Sequence, residues 1–133
     1  MSSISNVFAN ELALLLFNNT DIANVGDAAG LQNSATAGSL YISLHTADPG
    51  DAGTATTNEA SYGSYARVAV ARSGAGWTIA LRNATNAADI VFPTRSDVGS
   101  EVLTNWAIVK ETSGASIILF KGSLTDSLTV TNN

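Results

Sequence analysis

The chain is 133 residues long, which implies one domain able to bury about two-thirds of the surface its unfolded form exposes. Charged residues make up only 13% against about 25% in an ordinary soluble domain, while the 45% of hydrophobic residues is normal, so the surface is polar but thinly charged. Such a surface points to faces shared with other chains. Six basic against eleven acidic residues leave a net charge of −5, and the bases lie scattered from Arg67 to Lys121 with no cluster to track a phosphate backbone, so nucleic acid is not an expected partner. The longest mostly apolar run, Leu12 to Phe17, falls far short of the roughly 20 residues that cross a bilayer, and no basic stretch precedes it. Neither a membrane nor a signal peptide is expected. The absence of cysteine excludes disulfides, thiolate nucleophiles and Cys-ligated zinc.

Along the chain, Ile4, Val7, Phe8, Leu12, Leu15 and Leu16 recur at helical spacing, which predicts an amphipathic helix over 4–17 with Ser2, Ser3 or Ser5 as its cap. Glu11 interrupts the apolar stripe and leaves one edge of the helix wet. Asn18-Asn19-Thr20-Asp21 ends it, because these side chains compete for backbone hydrogen bonds and Asn tolerates the left-handed conformation. Residues 18–39, rich in Ala, Gly, Asn and Ser, read as a long loop anchored by Ile22, Val25 and Leu31. An antiparallel β domain follows over 40–131. Its clearest strand is Leu40–Thr46, where Leu40, Ile42 and Leu44 share one face and Tyr41, Ser43 and His45 the other. Asp48-Pro49-Gly50-Asp51 is a turn. Further strands are predicted at Tyr65–Arg72, Trp77–Leu81, Asp89–Phe92, Val102–Val109, Ile117–Lys121 and Ser127–Thr131. The fold class is therefore mainly β (α+β): an N-terminal amphipathic helix followed by a small antiparallel β-sandwich or barrel of about seven strands. Trp77, Ile79 and Leu81 on one strand face, and Trp106 with Ile108 on another, are the expected core.

The residues offer little chemistry. A Ser-His-Asp site would have to use His45, the single histidine, yet no Gly-x-Ser-x-Gly elbow is present and a Pro-Gly turn follows almost at once. The expected role of His45 is that of a strand-end residue bonded to a neighbouring loop. Asp48 and Asp51 are placed to meet on one side of their turn and hold a hard cation, but two carboxylates are fewer than most calcium sites use, and turn chemistry accounts for both. No catalytic, cofactor-binding or metal-binding residue is assigned, and an enzyme is not expected. Two sequons, Asn18-Asn19-Thr20 and Asn83-Ala84-Thr85, carry little meaning without a secretory signal.

The string Gly38-Ser39-Leu40-Tyr41-Ile42-Ser43-Leu44-His45-Thr46-Ala47-Asp48-Pro49-Gly50-Asp51-Ala52-Gly53, followed by Thr57-Asn58-Glu59, Tyr65-Ala66-Arg67-Val68-Ala69-Val70-Ala71-Arg72, Gly76-Trp77-Thr78 and Asn86–Pro93, resembles a family of small virion structural proteins of tailed bacteriophages. The likeness covers residues 4–93 well and residues 94–133 less well. Proteins of this kind carry labels either of tail-fibre components or of small head proteins. The resemblance implies a virion protein, assembled in the bacterial cytoplasm, with no catalytic residues to carry over. The leading expectation is a capsid decoration (cement) protein bound to the major capsid protein on the outer head surface; the alternative is a tail or tail-fibre component bound to other tail proteins. A carbohydrate-binding sandwich, with Tyr41, Tyr62 and Tyr65 stacking on sugars, is a further alternative. A homo-oligomer is expected, with a trimer implied by the threefold symmetry common to head junctions and fibres. Phe8, Leu12 and Leu15 on the helix are the candidate assembly contacts, since an apolar stripe of that length needs a cover.

Overall fold

The computed structural model describes residues 3–132. One helix, α1 (Asn6–Asn18), is followed by six strands: β1 (Ser39–His45), β2 (Val68–Ala71), β3 (Trp77–Ala80), β4 (Asn83–Asn86), β5 (Gly99–Val109) and β6 (Ile118–Asn132). The contacts divide the chain into two compact units that interleave in sequence. The first takes the residues up to Ser39 together with Val70–Ile90; the second takes Leu40–Ala69 and the residues from Val91 onward.

In the first unit, α1 begins where Ser5 adopts an extended conformation and its Oγ accepts the Phe8 N–H at 3.2 Å. This satisfies one of the amide donors that every helix start leaves open. The helix ends where Asn19 turns left-handed at φ 54 and its N–H reaches back to the Leu14 carbonyl, the termination expected of an Asn-rich stop. No basic residue stands in the last turn. Arg72 takes that place from far along the chain, donating from Nε to the Leu16 carbonyl at 2.7 Å, from Nη2 to that of Leu15 at 2.8 Å and from Nη1 to that of Ala37 at 3.0 Å. A cation on the last carbonyls both fills open acceptors and opposes the negative end of the helix dipole. The loop after α1 closes through Ile22 and Leu31, which exchange backbone hydrogen bonds at 3.0 and 2.8 Å, while Ser34 N–H donates to Asn19 Oδ1 at 2.9 Å and Asn33 N–H to Asp21 Oδ1 at 2.6 Å. The Asn-rich composition of this loop thus serves side-chain bonds to its own backbone. Strands β3 and β4 form a hairpin that packs on α1, with the Trp77 ring 4.7 Å from that of Phe17.

In the second unit the sheet runs β2-β1-β5-β6, with β1 and β6 each antiparallel to β5, and β2 is the strand in which the chain passes to the other unit. β1 is buried on both faces: Ser43 and His45 are 0% exposed, as deeply set as Ile42 and Leu44 on the opposite face. Leu44, Ala60, Tyr62 and Leu103 form one core cluster, and Ala55, Ala107 and Val109 another. Trp106 lies over Gly122, its partner across β5 and β6; a Cβ there would stand 2.8 Å from Trp106 Cζ2, so only glycine fits under the ring.

The mainly β class with an N-terminal helix is what the sequence predicts, but the sheet has two open edges and is not a barrel. Asp89–Phe92 is not a strand; Pro93 follows it without an N–H, and the chain changes unit between Ile90 and Val91. β4 lies outside the strands that the sequence predicts, because Asn83-Ala84-Thr85-Asn86 has weak strand preference and pairs only through the tight turn before it. Leu81 lies in that turn, 67% exposed, and not on the buried face with Trp77. The two predicted C-terminal strands are one, since Leu124–Ser127 bulge out opposite Thr104 instead of ending the strand.

Removing the Arg72 contacts should loosen the first unit. Arg72→Gln is expected to lower the unfolding free energy by about 2 kcal/mol, the scale of charge-assisted bonds to partly buried acceptors. Arg72→Lys should recover less than half of the loss, because one ammonium lacks the guanidinium fork. Urea melts of the three proteins measure both.

Candidate functional site

His45 closes β1 with both ring nitrogens occupied. Nδ1 lies 2.9 Å from the Thr57 carbonyl, which makes it the protonated nitrogen, and Nε2 lies 2.8 Å from Ser43 Oγ. The ring is 0% exposed. It therefore ties the strand end to the following loop, as its sequence position suggests, and no carboxylate orients it.

Asp48 and Asp51 do converge on a cation, and that cation is Lys121 of β6. Its Nζ stands 2.9 Å from Asp48 Oδ1 and 3.2 Å from Asp51 Oδ1, while Asp48 Oδ1 also accepts the Gly50 N–H at 2.8 Å. The Gly50 amide and the Lys121 ammonium hold the Asp48 carboxyl below its ordinary range, and the two aspartates hold the Lys121 proton more firmly than usual. Beside this tether a groove of about 420 Å³ runs between the turn at Gly50–Thr54 and the entry into β6, from Ile117 to Lys121.

The tyrosines considered for sugar stacking are used inside the fold. Tyr62 is buried and its OH donates to the Pro93 carbonyl at 3.0 Å; Tyr65 meets Tyr62 edge-on at 5.3 Å and stacks on Phe92 at 6.3 Å; Tyr41 packs against the Ala55–Val109 cluster. Trp77 is core, and Trp106 is half-buried over Gly122.

The densest polar constellation was not legible in the sequence as a site. Arg67, with a side chain only 2% exposed, forms a two-pronged pair with Glu59: Nε to Oε1 at 2.6 Å and Nη2 to Oε2 at 2.8 Å. Its remaining donors reach the Glu111 carbonyl at 3.0 Å and the Gly114 carbonyl at 2.7 Å, in the connection between β5 and β6. Tyr65 OH donates to Glu59 Oε1 at 3.1 Å and accepts the Leu44 N–H of β1 at 3.0 Å. Burial pushes the Tyr65 phenol up, and the Glu59 carboxylate holds the Arg67 proton. Two more carboxylates accept backbone amides nearby: Glu101 accepts the Ser61 and Tyr62 N–H groups at 3.1 Å, and the half-exposed Asp97 accepts the Gly63 N–H at 2.5 Å. Every polar group in this constellation has a structural partner, so its role is to lock the loop 59–67 onto β1 and β5. Nothing in residue spacing announces the pair, although both residues fall within the strings that carry the family resemblance.

Phe8 and Leu15 are half-buried on α1, and Leu12 is 36% exposed. The more open positions of the helix region are Val7 at 70% and Ile4 at 47%.

Two measurements test this geometry. Arg67→Met should destabilise the protein by about 3–5 kcal/mol, because it strands a buried carboxylate. The double variant Arg67→Met/Glu59→Leu should lose clearly less than the sum of the two single losses in urea melts. In an NMR titration Asp48 should show a midpoint below 3.8 that rises toward that value in Lys121→Met. The tether it reports is intact above the ordinary carboxylate pKa and lost as pH falls through the lowered one.

No curated protein matches the chain. A family model described as podophage GP4 fiber I protein gp80 matches residues 3–133, which includes the C-terminal segment where the sequence resemblance was weaker. With nearly its whole length matched, the chain belongs to the family of the podophage GP4 fiber I protein gp80.

Proposed function

We propose that the protein is a non-enzymatic structural component of a podophage tail fibre, or of the tail parts to which the fibre attaches. The observation that carries this reading is the family match over residues 3–133, whose description names a fiber protein. It favours the tail alternative over capsid decoration, because the description names a fiber protein. The use of Glu59, Glu101 and His45 in internal hydrogen bonds supports a rigid scaffold over a reaction site. Phe8, Leu12 and Leu15 on α1 are the residues we assign to contact with a neighbouring virion protein.

Location and copy number test the reading. Gold-labelled antibody on intact particles should mark the tail, and quantitative mass spectrometry should find a handful of copies per particle. Label spread over the head, with copies in the hundreds, would instead establish the decoration role. For the helix, Leu12→Asp is expected to keep a cooperative melt while incorporation into particles falls by about tenfold, equivalent to about 1.4 kcal/mol of contact energy. Outright unfolding of that variant would mean that the stripe covers only its own unit.

A further inference from the structure

The start of α1 and the tip of the β3–β4 hairpin present an exposed apolar patch. Ile4, Val7 and Leu81 are 47%, 70% and 67% exposed. Arg82 Nη2 donates to the Ile4 carbonyl at 3.0 Å and so ties the hairpin tip to the start of the helix. Leu81 carries a second anomaly. It is the first residue of the two-residue turn between Ala80 and Asn83 and has φ 55, at a position where hairpins ordinarily use glycine. Backbone strain and an apolar side chain held in water fall on the same residue, and a covering surface would offset the second.

The charges at the patch identify its cover. Val7 and Glu11 stand four residues apart on α1 and share a face, whereas Arg82 lies at the Ile4 end. Along this stripe the order is cation, apolar, acid. Neither Arg82 nor Glu11 has an ion-pair partner among the described residues; Arg72 and Lys110 lack a carboxylate partner too, and what sets Arg82 and Glu11 apart is that they flank the exposed Val7 on one stripe. A stripe of that order complements itself when turned end over end. Two antiparallel copies set Arg82 of each against Glu11 of the other, with the exposed Val7 and Leu81 side chains enclosed between them.

We propose that Ile4, Val7, Glu11, Leu81 and Arg82 form a two-fold contact between two copies of this chain. The contact is independent of which part of the virion the protein occupies, and it predicts pairing in solution where the family resemblance implied a trimer.

Sedimentation of the full chain over a range of concentrations tests it. Arg82→Glu and Glu11→Arg should each weaken self-association by about tenfold or more, through two like-charge contacts per pair. Mixing the two variants in equal amounts should restore association to near the wild-type level, because each mixed pair regains two opposite-charge contacts. Leu81→Gly should raise the melting temperature, by relieving the turn, while weakening association. If either reversal disturbs folding, Arg82→Gln, which keeps a donor for the Ile4 carbonyl, supplies the weakened single variant. A wild-type chain that stays monomeric at every concentration overturns the proposal. So does an oligomer that survives both reversals, or a mixture that associates no better than its components.

Discussion

The ion pair of Glu59 and Arg67 is the contact around which the second unit is organised. A guanidinium with a side chain 2% exposed cannot be left without partners, and here each of its prongs has one: a carboxylate on one side and two carbonyls of the β5–β6 connection on the other. Glu59 in turn fixes Tyr65, whose hydroxyl accepts the Leu44 amide of β1. One loop, the central strand and the far hairpin connection are thereby held to a common point. Arg72, five residues along, performs the matching task in the first unit, where it fills the carbonyls at the end of α1. The segment Tyr65–Arg72 thus carries one anchor for each unit, Arg67 buried and Arg72 half-buried.

The thin surface charge comes from the composition, and internal contacts reduce it a little further. Glu59 and Glu101 are spent on arginine and backbone amides, while Asp97, about half exposed, accepts the Gly63 amide from the surface. On the exposed surface the remaining carboxylates are spread thinly among Ser, Thr, Ala and Asn, which repel neighbouring copies little. A fibre component packed among other subunits benefits from such a surface, because fewer ions need to lose their water when the contacts form.

How much of this was legible in the sequence depends on the range of the interaction. Local patterns spoke clearly: Ser5 and the Asn18–Asn19 stop bound the helix, Leu40–His45 forms a strand, and His45 closes it against a loop. Interactions between distant segments were silent. Lys121 answers Asp48 and Asp51 across more than half the chain, Arg72 caps a helix that ended long before it, and Arg67 grips carbonyls beyond Lys110. The strands follow the same rule. β4 exists through pairing and not through propensity, and the C-terminal strand absorbs Leu124–Ser127 as a bulge because Leu124 packs on the Leu44–Leu103 cluster. The family resemblance crossed part of this gap, since its strings contained Glu59, Arg67 and Arg72 without revealing why those residues belong together.

The dependence of the second unit on the Glu59–Arg67 pair is most directly tested by native-state hydrogen exchange in low urea. The Leu44 amide ends on Tyr65, the Ala60 amide on the Leu44 carbonyl and the Ala55 amide on the Ser116 carbonyl, so all three report on the anchored elements. If the pair holds them together, these amides exchange only through a shared opening, with one free energy that falls with urea alongside that of the β5 core. Leu44 and Ala60 exchanging by local, urea-independent fluctuation while Ala107 and Val109 remain protected would contradict the account.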